Sequence, residues 1–242
     1  MPDWVLAAER AYVAAAVGHR LPEQPAAPDA VAPDAVAPDA VAPDAVAPDA
    51  VAPDAAVPPD PAAAGGHTRA GSTTPSEVQA RAIAAAGAVA SRFLAVGTPR
   101  SFGIVIDDAT EVDAAALSLT AHRTWFAPRD IRCAATASGA DELAAATGGR
   151  VVSVAEALAC DIVNIYSTRV RITPAQLRRG THVNAGSAAL FEPELLTLAT
   201  VVDEAGLPAL AAGLVDGRQL DELTIFIANG APIAASAAAR PA

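Results

Sequence analysis

The chain contains no lysine. All sixteen of its basic residues are arginine, so a Schiff-base amine, a lysine proton shuttle and an ammonium gripping phosphate are excluded within it. Cysteine is almost as scarce. Cys133 and Cys160 lie far apart among apolar residues, which rules out a CxxC redox pair or a zinc knuckle and predicts two buried thiols. His19, His67, His122 and His182 are scattered without metal-ligand spacing, so no metal site is expected. Two Trp, two Tyr, five Phe and one Met leave Ala, Val, Leu and Ile to build the core, which buries a modest area per residue. No run of eighteen clearly apolar, uncharged residues marks a membrane span, and an opening that carries Asp3 and Glu9 is no secretory signal. The expectation is a cytoplasmic protein. A net charge of −11 argues against nucleic acid and against an anionic membrane, because both are bound by neutralising phosphates.

What is present is organised around SFGIVIDDATEVDAAALSL, residues 101 to 119. Phe102 to Ile106 is β-branched and apolar on consecutive positions, as in a parallel strand buried on both faces. A helix pattern resumes at Val112, with Leu117 and Leu119 facing the sheet and Asp107, Asp108 and Glu111 around its N-terminus, where negative side chains are favourable. A Rossmann unit begins this way. Ile131 to Ala135 and Val151 to Val154 read as further strands, separated by a helix over 141 to 147 that Gly148 and Gly149 end. A short helix over 155 to 159 and two more strands, DIVNIY at 161 to 166 and THVNA at 181 to 185, follow, with a helix-like turn over 174 to 179 between those strands. Such alternation predicts a parallel α/β sheet with right-handed crossovers.

The chain opens with a helix that Asp3 caps and Gly18 ends, and Trp4, Ala8, Tyr12 and Ala15 share one face for packing. Residues 28 to 55 then repeat PDAVA, with Pro28, Pro33, Pro38, Pro43, Pro48 and Pro53 each followed by Asp. Proline at that spacing stops any helix, and little between is worth burying, so the sequence predicts an extended, disordered spacer reaching roughly 80 Å at about 3.1 Å per residue. Order returns at Pro75. SEVQARAIAAAGAVASRFL is helix-prone, with Val78, Ala82, Ala86, Val89 and Phe93 along one face.

Several segments now resemble the ornithine cyclodeaminase and mu-crystallin family. LAAERAYVAAAVGHRLP is similar to that family's opening helix, RAIAAAGAVASRFLA to the helix before its nucleotide-binding strand, and ACDIVNIYST to its strand ending in Ser and Thr. RRGTHVNAGS resembles its GTHVNAVGS signature and GRQLDELTIFIANGAPI its closing segment, so the likeness covers residues 4 to 24 and about 78 to 238. The resemblance implies a Rossmann-like parallel sheet with flanking helices, with most of a second, substrate and dimerisation domain missing. It divides the chain into 1–25, an N-terminal helix left from that second domain; 26–74, the disordered repeat; 75–213, the NAD(P)-binding-type domain; and 214–242, a C-terminal remnant of the second domain. It also implies NAD(P) as cofactor, an amino acid or imine as substrate, and a homodimer or a heteromeric partner. The cofactor positions it implies are Asp107, Asp108, Ala109, Thr110, Glu111, Ser167, Thr168 and Asn184, with Arg81 as a candidate for the substrate carboxylate.

Where the family carries a glycine-rich turn this chain has Asp107, Asp108, Ala109, Thr110, Glu111 and Val112. A pyrophosphate there meets negative side chains, and two like charges at about 4 Å repel by roughly 4 kcal/mol at an effective dielectric of 20, a loss on the order of a thousandfold. The acid that holds the adenosine ribose is absent, with only Thr136 and Ser138 after the second strand, and no aspartate follows Asn184 before Glu192. Catalytic residues are not assignable. His182, inside THVN, reads as a satisfied structural histidine with a site role as the alternative, and Asp221 with Glu222 as a solvated acidic pair. Ser167, His182 and Asp161 assemble a hydrolytic triad only on paper, without a GxSxG elbow. Two readings stand: an NAD(P)-dependent cyclodeaminase-like lyase, amino-acid dehydrogenase or imine reductase with impaired or lost cofactor binding and catalysis, and a non-catalytic Rossmann-fold binding or interaction protein.

Overall fold

Ser101–Ile106 forms a strand, β1, buried at every position, as a run of consecutive apolar residues requires when both faces of a sheet are covered. The computed structural model describes residues 2–18, 75–95, 97–217 and 221–228; the PDAVA repeat and the spacer expected over 26–74 lie outside them. Around β1 stand β2 (Asp130–Ala135), β3 (Arg150–Val151), β4 (Ile162–Ile165), β5 (His182–Ala185), β6 (Thr200–Asp203) and β7 (Thr224–Ile227). They form one sheet in the order β3-β2-β1-β4-β5-β7-β6, and every pairing is parallel. The sheet is the Rossmann-like parallel sheet with flanking helices that the sequence predicts.

The helices are α1 (Asp3–Gly18), α2 (Pro75–Leu94), α3 (Val112–His122), α4 (Ala140–Thr147), α5 (Val154–Leu158), α6 (Pro193–Leu198) and α7 (Leu207–Ala211). Steps from β1 to β2, β2 to β3 and β6 to β7 run one way across the sheet and put α3, α4 and α7 on one face. Steps to β4 and to β6 run the other way and put α5 and α6 on the opposite face, as right-handed crossovers demand. Val105, Val163, Val183 and Ile225 pack towards Leu158 and Leu195 on the α5 and α6 face. Phe102, Ile104 and Ile162 pack against Leu119 and Leu143 on the other. Gly103 lets α5 approach β1: a Cβ there would stand 2.1 Å from the Ala157 carbonyl oxygen.

Elements α6, β6 and α7 were not expected, and two expected segments are corrected. Val154, read as strand, starts α5, because Ser153 and Glu156 close a capping box around the helix N-terminus. The segment 214–242, assigned to a remnant of a second domain, supplies β7, whose four residues are buried between β5 and β6. This corrects the boundary at 213: TIFI completes the sheet. The described residues fall in one compact unit, in which the first helix joins the chain from Thr73 onward. There α2 buries Ala82, Ala86 and Val89 in a cluster with Ala8 and Tyr12 of α1, Leu207 and Leu210 of α7, and Phe226 of β7.

Candidate functional site

The carboxyl ends of β1, β2 and β4 meet at one side chain, Asp107, which directly follows β1 and is 6% exposed. Its Oδ1 accepts from Thr136 Oγ1 at 2.7 Å and from Ser167 Oγ, while its Oδ2 accepts from Thr168 N and Thr168 Oγ1, both at 2.8 Å. Burial pushes this carboxyl up, but the donors from Ser167, Thr168 and Thr136 outweigh it and hold the group well below the usual carboxylate range. Asp107 is therefore a charged hub.

The rest of the turn is tied down as well. Asp108 caps the short 3₁₀ turn Ala109–Glu111, accepting from Thr110 N at 2.9 Å and Thr110 Oγ1 at 2.6 Å, and these bonds hold it below its ordinary value. Glu111 Oε2 accepts from Asp107 N at 2.6 Å, yet burial pushes its carboxyl up, helped by the charges of Asp107 and Asp108. Gly139, at φ +92°, lies so close to Ala109 that a Cβ would sit 2.7 Å from the Ala109 nitrogen. Ala137 and Ser138 donate backbone N–H groups to the Asp107 carbonyl at 3.0 and 3.3 Å. A dinucleotide needs glycine space and free N–H groups at this turn. Here the residues do not fit a pyrophosphate: the turn has no glycine, Asp108 holds the Thr110 and Glu111 N–H groups, and the loop after β2 is closed onto Ala109.

Asn184, the remaining cofactor position implied by the sequence, belongs to a different arrangement. It is 8% exposed in β5, paired in register with Asn164 of β4, and donates through Nδ2 to Asn164 Oδ1 at 2.7 Å and Ser91 Oγ at 2.9 Å. Asn164 Nδ2 in turn donates to Ser118 Oγ. His122 is fully buried, and its partners assign the tautomer: Nδ1 donates to the Ser118 carbonyl at 2.8 Å and Nε2 accepts from Ser91 Oγ at 2.9 Å. Burial pushes its pKa down to about 4, against the raising effect of the Ser118 carbonyl, so it is neutral. His182 Nε2 donates to Asn184 Oδ1 at 3.1 Å, and its Nδ1 lies 2.8 Å from Thr224 Oγ1. His182 is thus a bonded core histidine.

Together these side chains form a polar layer between the sheet and helices α2 and α3. Beside it a cavity of about 260 Å³ opens at the carboxyl edge of β4 and β5, lined among others by Ile83, Gly87, Asn164, Thr168, Asn184 and Gly186. Open parallel sheets bind ligands at that edge. Ser167 and Thr168 therefore face both Asp107 and the cavity, and Asn184 joins them there, whereas Arg81 is not among the lining residues.

The paper triad is not assembled. Asp161 stands before β4, at the opposite edge from Ser167, and accepts from the Arg100 and Ser101 backbone N–H groups at 2.8 and 2.9 Å. Cys133 and Cys160 are buried, and burial raises both thiols, Cys160 to about 11. Asp221 is exposed at φ +67°, while Glu222 accepts from Thr200 Oγ1. Among the described residues no group of three His, Cys, Asp or Glu side chains is arranged to hold a metal.

Sequence reading missed Ser91, Ser118, His122 and Asn164. A signal existed for three of them. Ser118 and His122 are four apart on one helix, and Asn164 is the polar residue inside an otherwise apolar strand. Ser91 lies 31 residues from His122 and 93 from Asn184, and only the tertiary fold brings them together.

Comparison with protein-family models and with curated proteins finds no match. Solved structures do match. An archaeal alanine dehydrogenase dimer with bound NAD is 22% identical, covering 66% of this chain and 62% of its own at a TM-score of 0.57. The Δ1-pyrroline-2-carboxylate reductase of Thermococcus litoralis, in complex with NADH and L-proline, is 18% identical over 66% and 64%, at 0.54. A probable ornithine cyclodeaminase from Bordetella pertussis Tohama I is 20% identical over 67% and 64%, at 0.53. Each match spans less than two thirds of the neighbour's length. In fold, at low sequence identity, the chain is similar to these alanine dehydrogenase, pyrroline-carboxylate reductase and ornithine cyclodeaminase structures.

Proposed function

We propose that this chain derives from an NAD(P)-dependent enzyme of amino-acid or imine metabolism and has lost tight cofactor binding and, with it, catalysis. The observation that carries this reading is the Asp107 carboxylate, which holds the Ser167, Thr168 and Thr136 donors at the carboxyl edge, where open parallel sheets bind ligands. The lack of lysine and of an acid after Asn184 supports it independently. If any activity remains, it is that of a cyclodeaminase-like lyase, an amino-acid dehydrogenase or an imine reductase. Otherwise the sheet persists as a non-catalytic binding body.

The neighbour solved as a dimer supports a homodimer here, with a heteromeric partner as the other way to complete the missing domain. No helix among the described residues is long and apolar enough to cross a membrane, which is consistent with the proposed cytoplasmic location. The test is a calorimetric titration of the full chain with NADH and with NADPH. No saturation below the millimolar range is expected, and micromolar binding of either nucleotide defeats the proposal.

A further inference from the structure

We infer that the cavity at the carboxyl edge of β4 and β5 is a binding site for a small uncharged molecule of the amide class, a ligand with one hydrogen-bond acceptor and one donor on an apolar frame. This goes beyond the loss of cofactor binding, because it concerns what the edge of the sheet takes instead.

Charge decides the class first. Among the described residues, none of those lining the cavity is Arg, Asp, Glu or His. A fixed charge close by is the Asp107 carboxylate, one hydrogen bond behind the lining residues Ser167 and Thr168, and its sign repels an anion. A carboxylate placed here meets no cation among the lining residues, which disfavours it, and an α-amino acid brings one.

Hydrogen-bonding capacity then narrows the class. The hydroxyl protons of Ser167 and Thr168 already go to Asp107, so Thr168 Oγ1 is left to accept. Asn164 Nδ2 carries two protons, and one of them goes to Ser118 Oγ. The other suits a ligand acceptor. Ile83, Ile165, Tyr166 and Leu190 complete an otherwise apolar wall, and a volume of about 260 Å³ is near the lower bound of small-molecule sites.

The test uses matched pairs that differ in charge but little in bulk. Saturation-transfer NMR on the full chain, free of nucleotide, is run with 2-piperidone against 5-aminopentanoate and with benzamide against benzoate. Transfer to the amides is expected, with the charged partners weaker by at least about tenfold. Two variants close the site. Gly87→Ala adds a methyl 3.4 Å from the Asn184 side chain while favouring helix α2. Gly186→Phe puts a ring beside the cavity, at a lining position where a Cβ meets no atom of the described residues within 4 Å. Loss of the amide signal in both, with unchanged circular dichroism, supports the assignment. Equal or stronger binding of the charged partners, amide signals that survive both variants, or silence from every probe overturns it. No nucleotide is present, so failure here leaves the cofactor reading intact, and NADH binding in the separate titration leaves this result unchanged.

Discussion

A carboxylate that accepts four hydrogen bonds from three neighbours behaves towards them as a phosphate would, and Asp107 is fixed in that role by the fold. Removing it should free the donors. Asp107→Gly combined with Ala109→Gly is expected to restore measurable NAD(H) binding by calorimetry, with a gain bounded at about 4 kcal/mol by the Coulomb term and reduced by the entropy of two glycines. Turnover of ornithine, alanine or cyclic imines should not return with it. A double variant that still ignores nucleotide would place the defect outside the turn. His122 makes a second residue-level prediction. Its pKa falls from 6.5 to about 4 on folding, so the unfolded chain binds the proton first on acidification. Stability should therefore be full above pH 6.5 and decline as pH falls towards 4, by about 3 kcal/mol for this one group. His122→Asn should lower stability at pH 7 and flatten that slope. An unchanged slope between pH 6.5 and 4, measured by urea unfolding, would refute the assignment.

At the level of elements, legibility followed burial. Strands β1, β4 and β5 were readable because both faces are covered, which leaves short, largely apolar runs that a helix of 3.6 period does not explain, and β2 was readable from Ile131 to Ala135 although its pattern is only partly buried. The edge strand β6 was not, since its pattern is half-exposed, and Val201 at 42% exposure makes TVVD look like a connection. β7 was hidden differently. TIFI is as apolar as β4, but the likeness to a closing family segment drew it into another domain, and only pairing to both β5 and β6 places it. For the site, Ser167, Thr168 and Asp107 were named from the resemblance, while their mutual bonds were not legible, because sequence does not say where a side chain 60 residues away arrives. One prediction belongs here. In Gly103→Ala the new Cβ meets the Ala157 carbonyl at 2.1 Å, so α5 must lift from β1, and a destabilisation of about 3 kcal/mol is expected in denaturant unfolding. A loss under about 0.5 kcal/mol would mean that α5 is not held against the sheet.

The whole molecule depends on a helix separated from its partners by the repeat. α1 buries Val5, Ala8 and Tyr12, Tyr12 donates to Glu204 Oε1 at 3.0 Å, and Glu9 pairs with Arg92, whose guanidinium stacks 5.3 Å from the Trp125 ring. Stability should then reside in these contacts and not in the connection that delivers them. Loop-closure entropy changes by only about 0.6 kcal/mol for each twofold change in length, so deleting residues 28–52, about half of the connection between Gly18 and Pro75, is expected to leave the unfolding free energy unchanged or slightly raised. Tyr12→Ala in the full-length chain should instead lose about 3 kcal/mol, because it empties a fully buried aromatic site and leaves Glu204 without its phenol. The two variants, compared by urea unfolding at one protein concentration, separate a spacer from a structural segment. If the deletion costs as much as the tyrosine, the PDAVA repeat contributes contacts of its own, and its reading as an extended spacer is wrong.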